Sequence, residues 1–245
     1  MCKECGCSIT QDDHKGHHHS IEQNPQLNEP KTIEVISKIL QVNDAEADKI
    51  REHLDEAGVF GVNLMSSPGA GKTSLLESLA KSCDFKFAVI EGDLQTNQDA
   101  DRLKRLGIDA HQITTGTACH LDAHMVHHAL HHLPINGLDV LFVENVGNLV
   151  CPASYDVGTH INVVLLSTPE GDDKVSKYPT MFSVADLVVI SKIDLVEHFD
   201  FDIARVKKDA RKLNPKVEIL EFSTKDDATI KALSEYLKNK KRLFA

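Results

Sequence analysis

The stretch Ser66-Ser67-Pro68-Gly69-Ala70-Gly71-Lys72-Thr73, or SSPGAGKT, follows the apolar run VFGVNLM at 59–65 and precedes leucines at helical spacing. Between a strand and a helix, the backbone amides of a glycine-rich turn hold phosphate oxygens. In such a turn Lys72 supplies positive charge and the Thr73 hydroxyl binds Mg²⁺. The stretch therefore predicts a phosphate-binding loop, although Ser66 stands where the usual pattern has glycine. The alternative is a plain glycine-rich turn with a solvated lysine. The predicted nucleotide contacts here are Pro68, Gly69, Ala70, Gly71, Lys72, Thr73 and Ser74.

Further apolar runs follow this loop, and helical patterns separate them. The runs are FKFAVIEGD (85–93), LDVLFVEN (138–145), INVVLLST (161–168), DLVVISKID (186–194) and VEILEFST (217–224). Continuous apolar strands that alternate with helices indicate a mostly parallel sheet with helices on both faces. We predict an α/β fold of the P-loop NTPase class, in which ligands bind at the carboxyl ends of the strands.

The chain before the first strand divides into two parts. Residues 1–30 contain almost no large apolar side chains and show no periodicity, so we predict a flexible tail. Residues 31–245 form the predicted nucleotide-binding domain. Apolar residues at helical spacing predict two helices at its start, with Asn43 or Asp44 capping the second and Gly58 ending it.

Charge and composition restrict the class of partner. The 245 residues include 27 Lys and Arg against 37 Asp and Glu, a net charge of -10. Such a surplus of negative charge disfavours nucleic acid or an anionic membrane as the main partner. No apolar run approaches the ~20 residues of a membrane span, and the first residues carry no export signal, so we expect a cytoplasmic protein. In a reducing compartment the six cysteines favour metal binding over disulfides.

Two more motifs at strand ends have the order expected of a GTPase. Asp93 in EGDLQT is placed to reach Mg²⁺ or the attacking water, and Glu144 with Gly147 in ENVGN to sense the γ-phosphate. Either carboxylate alone is also typical of a helix cap or a surface group. The predicted catalytic residues are Lys72, Thr73, Asp93 and Glu144.

The run Ser191-Lys192-Ile193-Asp194 is similar to the guanine-specificity motif NKxD, with serine in place of asparagine. The Asp194 carboxylate would accept two hydrogen bonds from guanine, a donor pair that adenine lacks, while the Lys192 stem packs on the base. Ser223 and Thr224, at the end of the last strand, would complete the pocket. The alternative for this run is a simple turn at a strand end.

Two groups of residues predict transition-metal sites. Cys2, Cys5 and Cys7 place three thiols close to the N-terminus, and thiolates select nickel, zinc and copper over magnesium.

The second group lies inside the domain. Cys119 and His120 are predicted to open a helix on which His124 and His128 continue the same face, and Cys151 lies four residues after Gly147. This set predicts a zinc or nickel site with one ligand on a nucleotide-responsive loop. The alternative is that both cysteines are small buried apolar residues and the histidines form a solvated helix face.

The motifs MCKECGC, SSPGAGKT, EGD, TGTACHLDAH, ENVGNLVCPASYD and SKID, in this order, resemble the hydrogenase nickel-incorporation GTPases of the HypB family across essentially the whole chain. The resemblance implies a GTP-hydrolysing metallochaperone that uses Mg²⁺ and forms a GTP-dependent homodimer. It implies as partners a hydrogenase maturation accessory protein and the hydrogenase large subunit precursor. Carried over residue by residue, the tight nickel motif is Cys2, Cys5 and Cys7, and the domain site for zinc or nickel is Cys119, His120 and Cys151, extended by His124 and His128.

Two other functions remain open from the sequence. The number of thiols and imidazoles permits a metal storage or buffer protein in which GTP is only a structural ligand. A related GTPase for urease maturation is the other alternative.

Overall fold

The computed structural model describes residues 30–93 and 98–244, with side chains from residue 34 onward. Apart from Pro30, the predicted tail lies outside these residues, and so do Cys2, Cys5 and Cys7. The strands are β1 (Phe60–Ser66), β2 (Phe87–Asp93), β3 (Asp109–Thr114), β4 (Val140–Glu144), β5 (Ile161–Ser167), β6 (Leu187–Ser191) and β7 (Glu218–Phe222). The helices are α1 (Pro30–Glu56), α2 (Lys72–Ser82), α3 (Gln98–Arg105), α4 (Ala123–Leu130), α5 (Lys174–Lys177), α6 (Pro179–Ser183), α7 (Ile203–Leu213) and α8 (Asp227–Phe244).

The seven strands form one sheet in the order β3-β2-β4-β1-β5-β6-β7, and every neighbouring pair is parallel. The predicted α/β fold with a parallel sheet is therefore confirmed. The six predicted strands are present, but β3 was missed. Its sequence DAHQIT has only Ala110 buried, because an edge strand needs no continuous apolar run.

Buried apolar side chains cover both faces of the sheet. On one face α2, α3 and α8 pack on alternate residues of β1, β2, β4 and β5. On the other face α1 and α4 cover β2 and β4, while α5, α6 and α7 cover β5 and β6. In the described parts of the chain no helix combines the length and the apolar character needed to cross a membrane.

The prediction of two helices before the first strand is wrong, because α1 is continuous from Pro30 to Glu56. Its buried residues Ala47, Ile50 and Leu54 continue the spacing of three and four that begins earlier in the helix. Asn43 falls in phase with this stripe and is itself buried, so it is an interior residue of the helix rather than a cap. The helix ends before Gly58, whose φ of 66° is in the left-handed region.

Candidate nucleotide and metal sites

The predicted phosphate loop connects β1 to α2 at the carboxyl edge of the sheet. Gly69 and Gly71 have φ of 74° and 102°, a region that glycine enters without steric cost. Ser66, in place of the usual first glycine, is fully buried, and its hydroxyl accepts a hydrogen bond from Lys72 Nζ at 3.1 Å. The serine is thus accommodated in the loop, where it is hydrogen-bonded to the lysine.

Thr73 and Glu144 form a buried pair at the base of the loop. The Thr73 hydroxyl donates to Glu144 Oε1 at 2.8 Å, and the glutamate is 4% exposed. Burial raises the pKa of Glu144 to about 6, against the opposing effect of Lys72 and of the Thr73 hydrogen bond. Within the described residues, Glu144 Oε2 has no hydrogen-bond partner. A buried carboxylate oxygen left without a partner beside a hydroxyl suits the oxygen coordination that Mg²⁺ prefers.

Glu91 is a second buried carboxylate in this site, and it is not among the residues predicted from the motifs. It lies directly opposite Glu144 in the register of β2 and β4, and its Oε2 also lacks a partner among the described residues. Burial raises the pKa of Glu91 to about 8, and the charges of Glu144, Asp99 and Asp93 add to this shift. The signal that points to it is an acidic residue that directly follows the apolar run FAVI within the same strand.

A cleft of about 400 Å³ brings most of the predicted nucleotide contacts together. Its wall also includes Arg102, which pairs with Glu77 and Asp99. Ala70, Asp194, Ser223 and Thr224 do not line this cleft. The predicted residues on its wall are Pro68, Gly69, Gly71, Lys72, Thr73, Ser74, Asp93, Glu144, Gly147 and Lys192.

The predicted base-recognition run is hydrogen-bonded to the phosphate loop. The Ser191 hydroxyl donates to the Ala70 carbonyl at 2.7 Å, and Lys192 Nζ donates to the Gly69 carbonyl at 2.7 Å. Lys192 has a φ of 57°, a value that a residue with a side chain rarely adopts. Ser191, which replaces the asparagine of the motif, is thus bonded through its hydroxyl to the phosphate loop.

Asp194 and Ser223 lie side by side, as the sequence predicts for a shared pocket. The Ser223 hydroxyl donates to Asp194 Oδ1 at 2.8 Å, and Lys225 Nζ lies 2.8 Å from Asp194 Oδ2. Lys225 first, and then Ser223, hold the pKa of Asp194 below its usual value. The carboxylate is thus kept ionised and able to accept hydrogen bonds.

Cys119, His120 and Cys151 come together beside the cleft. Their ligand atoms all lie within 4.8 Å of one another, the only such group of three or more His, Cys, Asp or Glu residues in the described parts. Cys119 Sγ is 2.9 Å from Cys151 Sγ and 3.7 Å from His120 Nδ1. The His120 ring stacks on the Tyr155 ring, with 3.9 Å between the ring centroids. Burial lowers the pKa of His120. Two thiols and a neutral imidazole are a donor set that suits zinc or nickel.

The prediction that His120 lies on one helical face with His124 and His128 is wrong. Helix α4 begins at Ala123 with Asp122 as its N-cap, so Cys119 and His120 lie in the preceding loop. His124 and His128 are on the helix and are not members of the ligand group. The His128 ring instead lies 5.2 Å from that of His132, which stacks on His111 at 4.7 Å. Asp122 is the residue in the sequence that indicates where the helix begins, because aspartate is favoured at the N-cap.

The loop 145–148 connects the two candidate sites. Asn145 Oδ1 accepts a hydrogen bond from the Leu121 amide at 3.0 Å, and Asn148 Nδ2 donates to the Cys119 carbonyl at 3.2 Å. Between them lies Gly147, where an added Cβ would lie 2.9 Å from Pro68 Cα. The loop thus contacts the phosphate loop at Gly147 and the segment of Cys119 through Asn145 and Asn148.

The fold and the phosphate loop define a nucleotide-binding protein of the P-loop class. A family model described as CobW/HypB/UreG, nucleotide-binding domain, matches residues 61–221. The chain is 52% identical over 225 residues to the hydrogenase/urease maturation factor HypB of Helicobacter hepaticus, covering 90% of this chain and 93% of that protein. The hydrogenase maturation factor HypB of Rhizobium leguminosarum bv. viciae is 45% identical over 215 residues, with 87% and 72% covered. The chain belongs to the HypB family.

Two solved structures are similar to the fold described above. One is HypB from Helicobacter pylori in complex with nickel, with a TM-score of 0.80, 53% identity, and coverage of 82% of this chain and 95% of that one. The other is the hydrogenase maturation factor HypB from Archaeoglobus fulgidus, with a TM-score of 0.77, 40% identity, and coverage of 82% and 100%. The resemblance inferred from the motifs is confirmed.

Proposed function

We propose that this chain is a GTP-hydrolysing nickel metallochaperone for [NiFe] hydrogenase maturation, in which the bound nucleotide controls metal affinity and dimerisation. The observation that carries the proposal is the loop 145–148, which contacts the phosphate loop at Pro68 and is hydrogen-bonded to the segment of Cys119. The printed names of the relatives, and the nickel complex of the Helicobacter pylori protein, support the choice of metal and pathway.

Hydrolysis would depend on positioning and electrostatics, as in other phosphoryl-transfer sites. The loop amides and Lys72 would bind the phosphate oxygens, with Lys72 leaving the Ser66 hydroxyl to do so. Thr73 and Asp93 would hold Mg²⁺, whose chemistry in such sites is to neutralise phosphate charge. Glu144, which accepts from Thr73, would keep that hydroxyl oriented.

The choice of GTP depends on Asp194. Its ionised carboxylate would accept hydrogen bonds from N1 and N2 of guanine, while Ser223 fixes its orientation. Adenine would present an acceptor to the same carboxylate and leave it unsatisfied. Lys192 would pack its stem on the base.

The Cys119, His120 and Cys151 group would hold zinc or nickel, and Cys2, Cys5 and Cys7 would form a separate nickel motif on the tail. Thiols and protonated imidazole must lose a proton before they bind a metal, and burial lowers the pKa of His120, which favours its neutral form. The remaining partners that we propose are a second copy of the chain, a maturation accessory protein and the hydrogenase large subunit precursor.

The experiment that separates a GTPase from a metal buffer is GTP turnover by the wild-type chain and by Lys72→Ala. We expect slow turnover that falls by about 100- to 1000-fold in the variant, because a single preorganised positive donor is lost. Lys104→Ala, which removes an exposed lysine on α3, is the control and should hydrolyse GTP normally. Absence of turnover in the wild-type chain would favour the metal buffer.

A role in urease maturation is a second candidate. It is favoured by the Helicobacter relatives, which are named hydrogenase/urease maturation factors and are 52% identical to this chain. Nickel delivery by the purified chain to apo-hydrogenase and to apo-urease, measured in parallel, distinguishes the two candidates.

A further inference from the structure

Asn43 is a polar residue in the buried stripe of α1. It is 8% exposed and follows the same spacing as the fully buried Ala47 and Ile50. A buried side-chain amide is costly unless its donor and acceptor are both satisfied. The contacts of Asn43 therefore indicate why an amide occupies this position.

Its two hydrogen bonds run to the two separate segments that carry the metal-ligand group. Asn43 Oδ1 accepts from the Ala123 amide at 2.9 Å, three residues after His120. Asn43 Nδ2 donates to the Asp156 carbonyl at 2.8 Å, five residues after Cys151. One side chain on α1 thus bridges the chain segment of Cys119 and His120 to that of Cys151.

The contact with Ala123 also completes the start of α4. The first amides of a helix have no partner within the helix, and Asp122 satisfies the amide of Met125. Asn43 satisfies the amide of Ala123 from a different helix. The end of the ligand-bearing loop is therefore fixed to α1 and not only to its own helix.

The segment after Cys151 fits closely against α1. Arg51 donates to both carboxylate oxygens of Asp156, at 2.7 and 3.2 Å, and to the Thr159 carbonyl at 3.0 Å. A Cβ added to Gly158 would lie 2.5 Å from Ile50 Cβ, so the backbone has no space to approach further. Of the two ligand-bearing segments, Arg51 is hydrogen-bonded only to this one, whereas Asn43 is hydrogen-bonded to both.

We propose that Asn43 is a positioning residue for the Cys119, His120 and Cys151 metal site, and that it sets the separation of the two ligand-bearing segments from α1. The inference rests on the proposed metal function of that group. Groups that orient metal ligands without touching the metal typically change metal affinity by about 10- to 100-fold when they are removed. Through Asn43, the position of α1 becomes one of the factors that determine how tightly the site holds its metal.

The test uses the full chain carrying Cys2→Ala, Cys5→Ala and Cys7→Ala, so that the tail thiols cannot bind the probe. Co²⁺ is titrated into this parent and into Asn43→Ala, and the thiolate-to-cobalt absorption reports ligand geometry. We expect an affinity loss of about 10- to 100-fold with an altered spectrum and unchanged nucleotide affinity. Glu46→Gln is the matched control, since it perturbs another α1–α4 contact, to His127, and touches neither ligand-bearing segment. It should bind Co²⁺ as the parent does.

Asn43→Asp keeps an acceptor for the Ala123 amide and removes the donor to the Asp156 carbonyl, so it should show an intermediate loss. It decides the question if Asn43→Ala does not fold, as judged by thermal unfolding. If folded Asn43→Ala binds Co²⁺ with the affinity and the spectrum of the parent, the positioning role of Asn43 is overturned. If Asn43→Ala does not fold, the same result for Asn43→Asp overturns it. A parent that binds no Co²⁺, or whose binding survives Cys151→Ala, would overturn the proposed metal function itself.

Discussion

The nucleotide cleft and the cysteine-histidine group lie at the same edge of the sheet, but they are held in different ways. The phosphate loop is one contiguous stretch whose shape depends on two glycines with positive φ. The metal-ligand group is assembled from two segments about thirty residues apart, and side-chain amides of Asn43, Asn145 and Asn148 hold those segments. A contiguous motif encodes its own geometry, whereas an assembled site depends on residues far from it in sequence.

The largest expected effect breaks the metal site and leaves the cleft intact. Cys151→Ala removes a proposed direct ligand. The metal affinity of the domain site should therefore fall further than it does when a supporting group is removed, for which a loss of about 10- to 100-fold is typical. GTP affinity of the metal-free monomer should not change, because Cys151 does not line the cleft. Metal titration and nucleotide titration of the same preparation measure both quantities.

Cys83→Ala is the control for this variant. Cys83 is a half-buried thiol that contacts the Phe85 carbonyl, away from the ligand group. Equal metal affinities for the two alanine variants would contradict the assignment of Cys151 as a ligand.

A smaller effect is expected at the proposed guanine-recognition residue Asp194. Asp194→Asn replaces an acceptor with a donor, so preference should move from GTP toward xanthosine triphosphate, whose base carries an oxygen at position 2. The loss of GTP affinity should be about 10- to 100-fold, equal to about 1.4 to 2.8 kcal/mol. Competition between the two nucleotides is the measurement.

Asp226→Asn serves as the control, since Asp226 lies near Lys225 and caps the Ala228 amide, a role that asparagine can fill. ATP bound as tightly as GTP by the wild-type chain would refute the role of Asp194.

The contrast between the sites also explains what the sequence could and could not predict. The parallel sheet and the phosphate loop follow from local patterns, and the structure agrees with both. The sequence pattern predicts two helices where α1 is continuous, because an asparagine such as Asn43 is typical of a helix N-cap. Only its contacts with Ala123 and Asp156 explain why it lies inside the helix. His120 was predicted on a helix for a similar reason: the spacing of the histidines suggested a helical face, although Asp122 starts the helix later.

Glu91 shows a third kind of limit. An acidic residue in a strand is ordinarily exposed, and only the sheet order, with β2 beside β4, places it against Glu144. The pairing of two buried carboxylates is thus a property of topology rather than of local sequence.

The smallest effect concerns the pH dependence of stability without nucleotide. Because the pKa of Glu91 is raised to about 8 from its usual 4.5, the folded chain binds a proton that the unfolded chain has released between these values. Stability should therefore fall as pH rises from about 5 to 8. Glu91→Gln should flatten this dependence and raise the melting temperature at pH 8, by about 2 to 4 °C for each kcal/mol recovered.

Thermal unfolding at pH 5 and pH 8 provides the measurement, and Glu197→Gln, at an exposed glutamate, should leave the dependence in place. A profile for Glu91→Gln parallel to that of the wild-type chain would show that Glu91 is ionised at both pH values.

The coupling between the two regions is tested most directly by nickel titration of the chain with Cys2, Cys5 and Cys7 replaced by alanine, saturated either with GDP or with a non-hydrolysable GTP analogue and Mg²⁺. Because loop 145–148 contacts Pro68 and holds the Cys119 segment, nickel affinity should differ between the two states by about 5- to 150-fold, or ~1 to 3 kcal/mol. By linkage, nickel should change affinity for the analogue relative to GDP by the same factor, and light scattering on the same samples should show different oligomeric states. Identical nickel affinity and identical oligomeric state in both nucleotide forms would contradict the account.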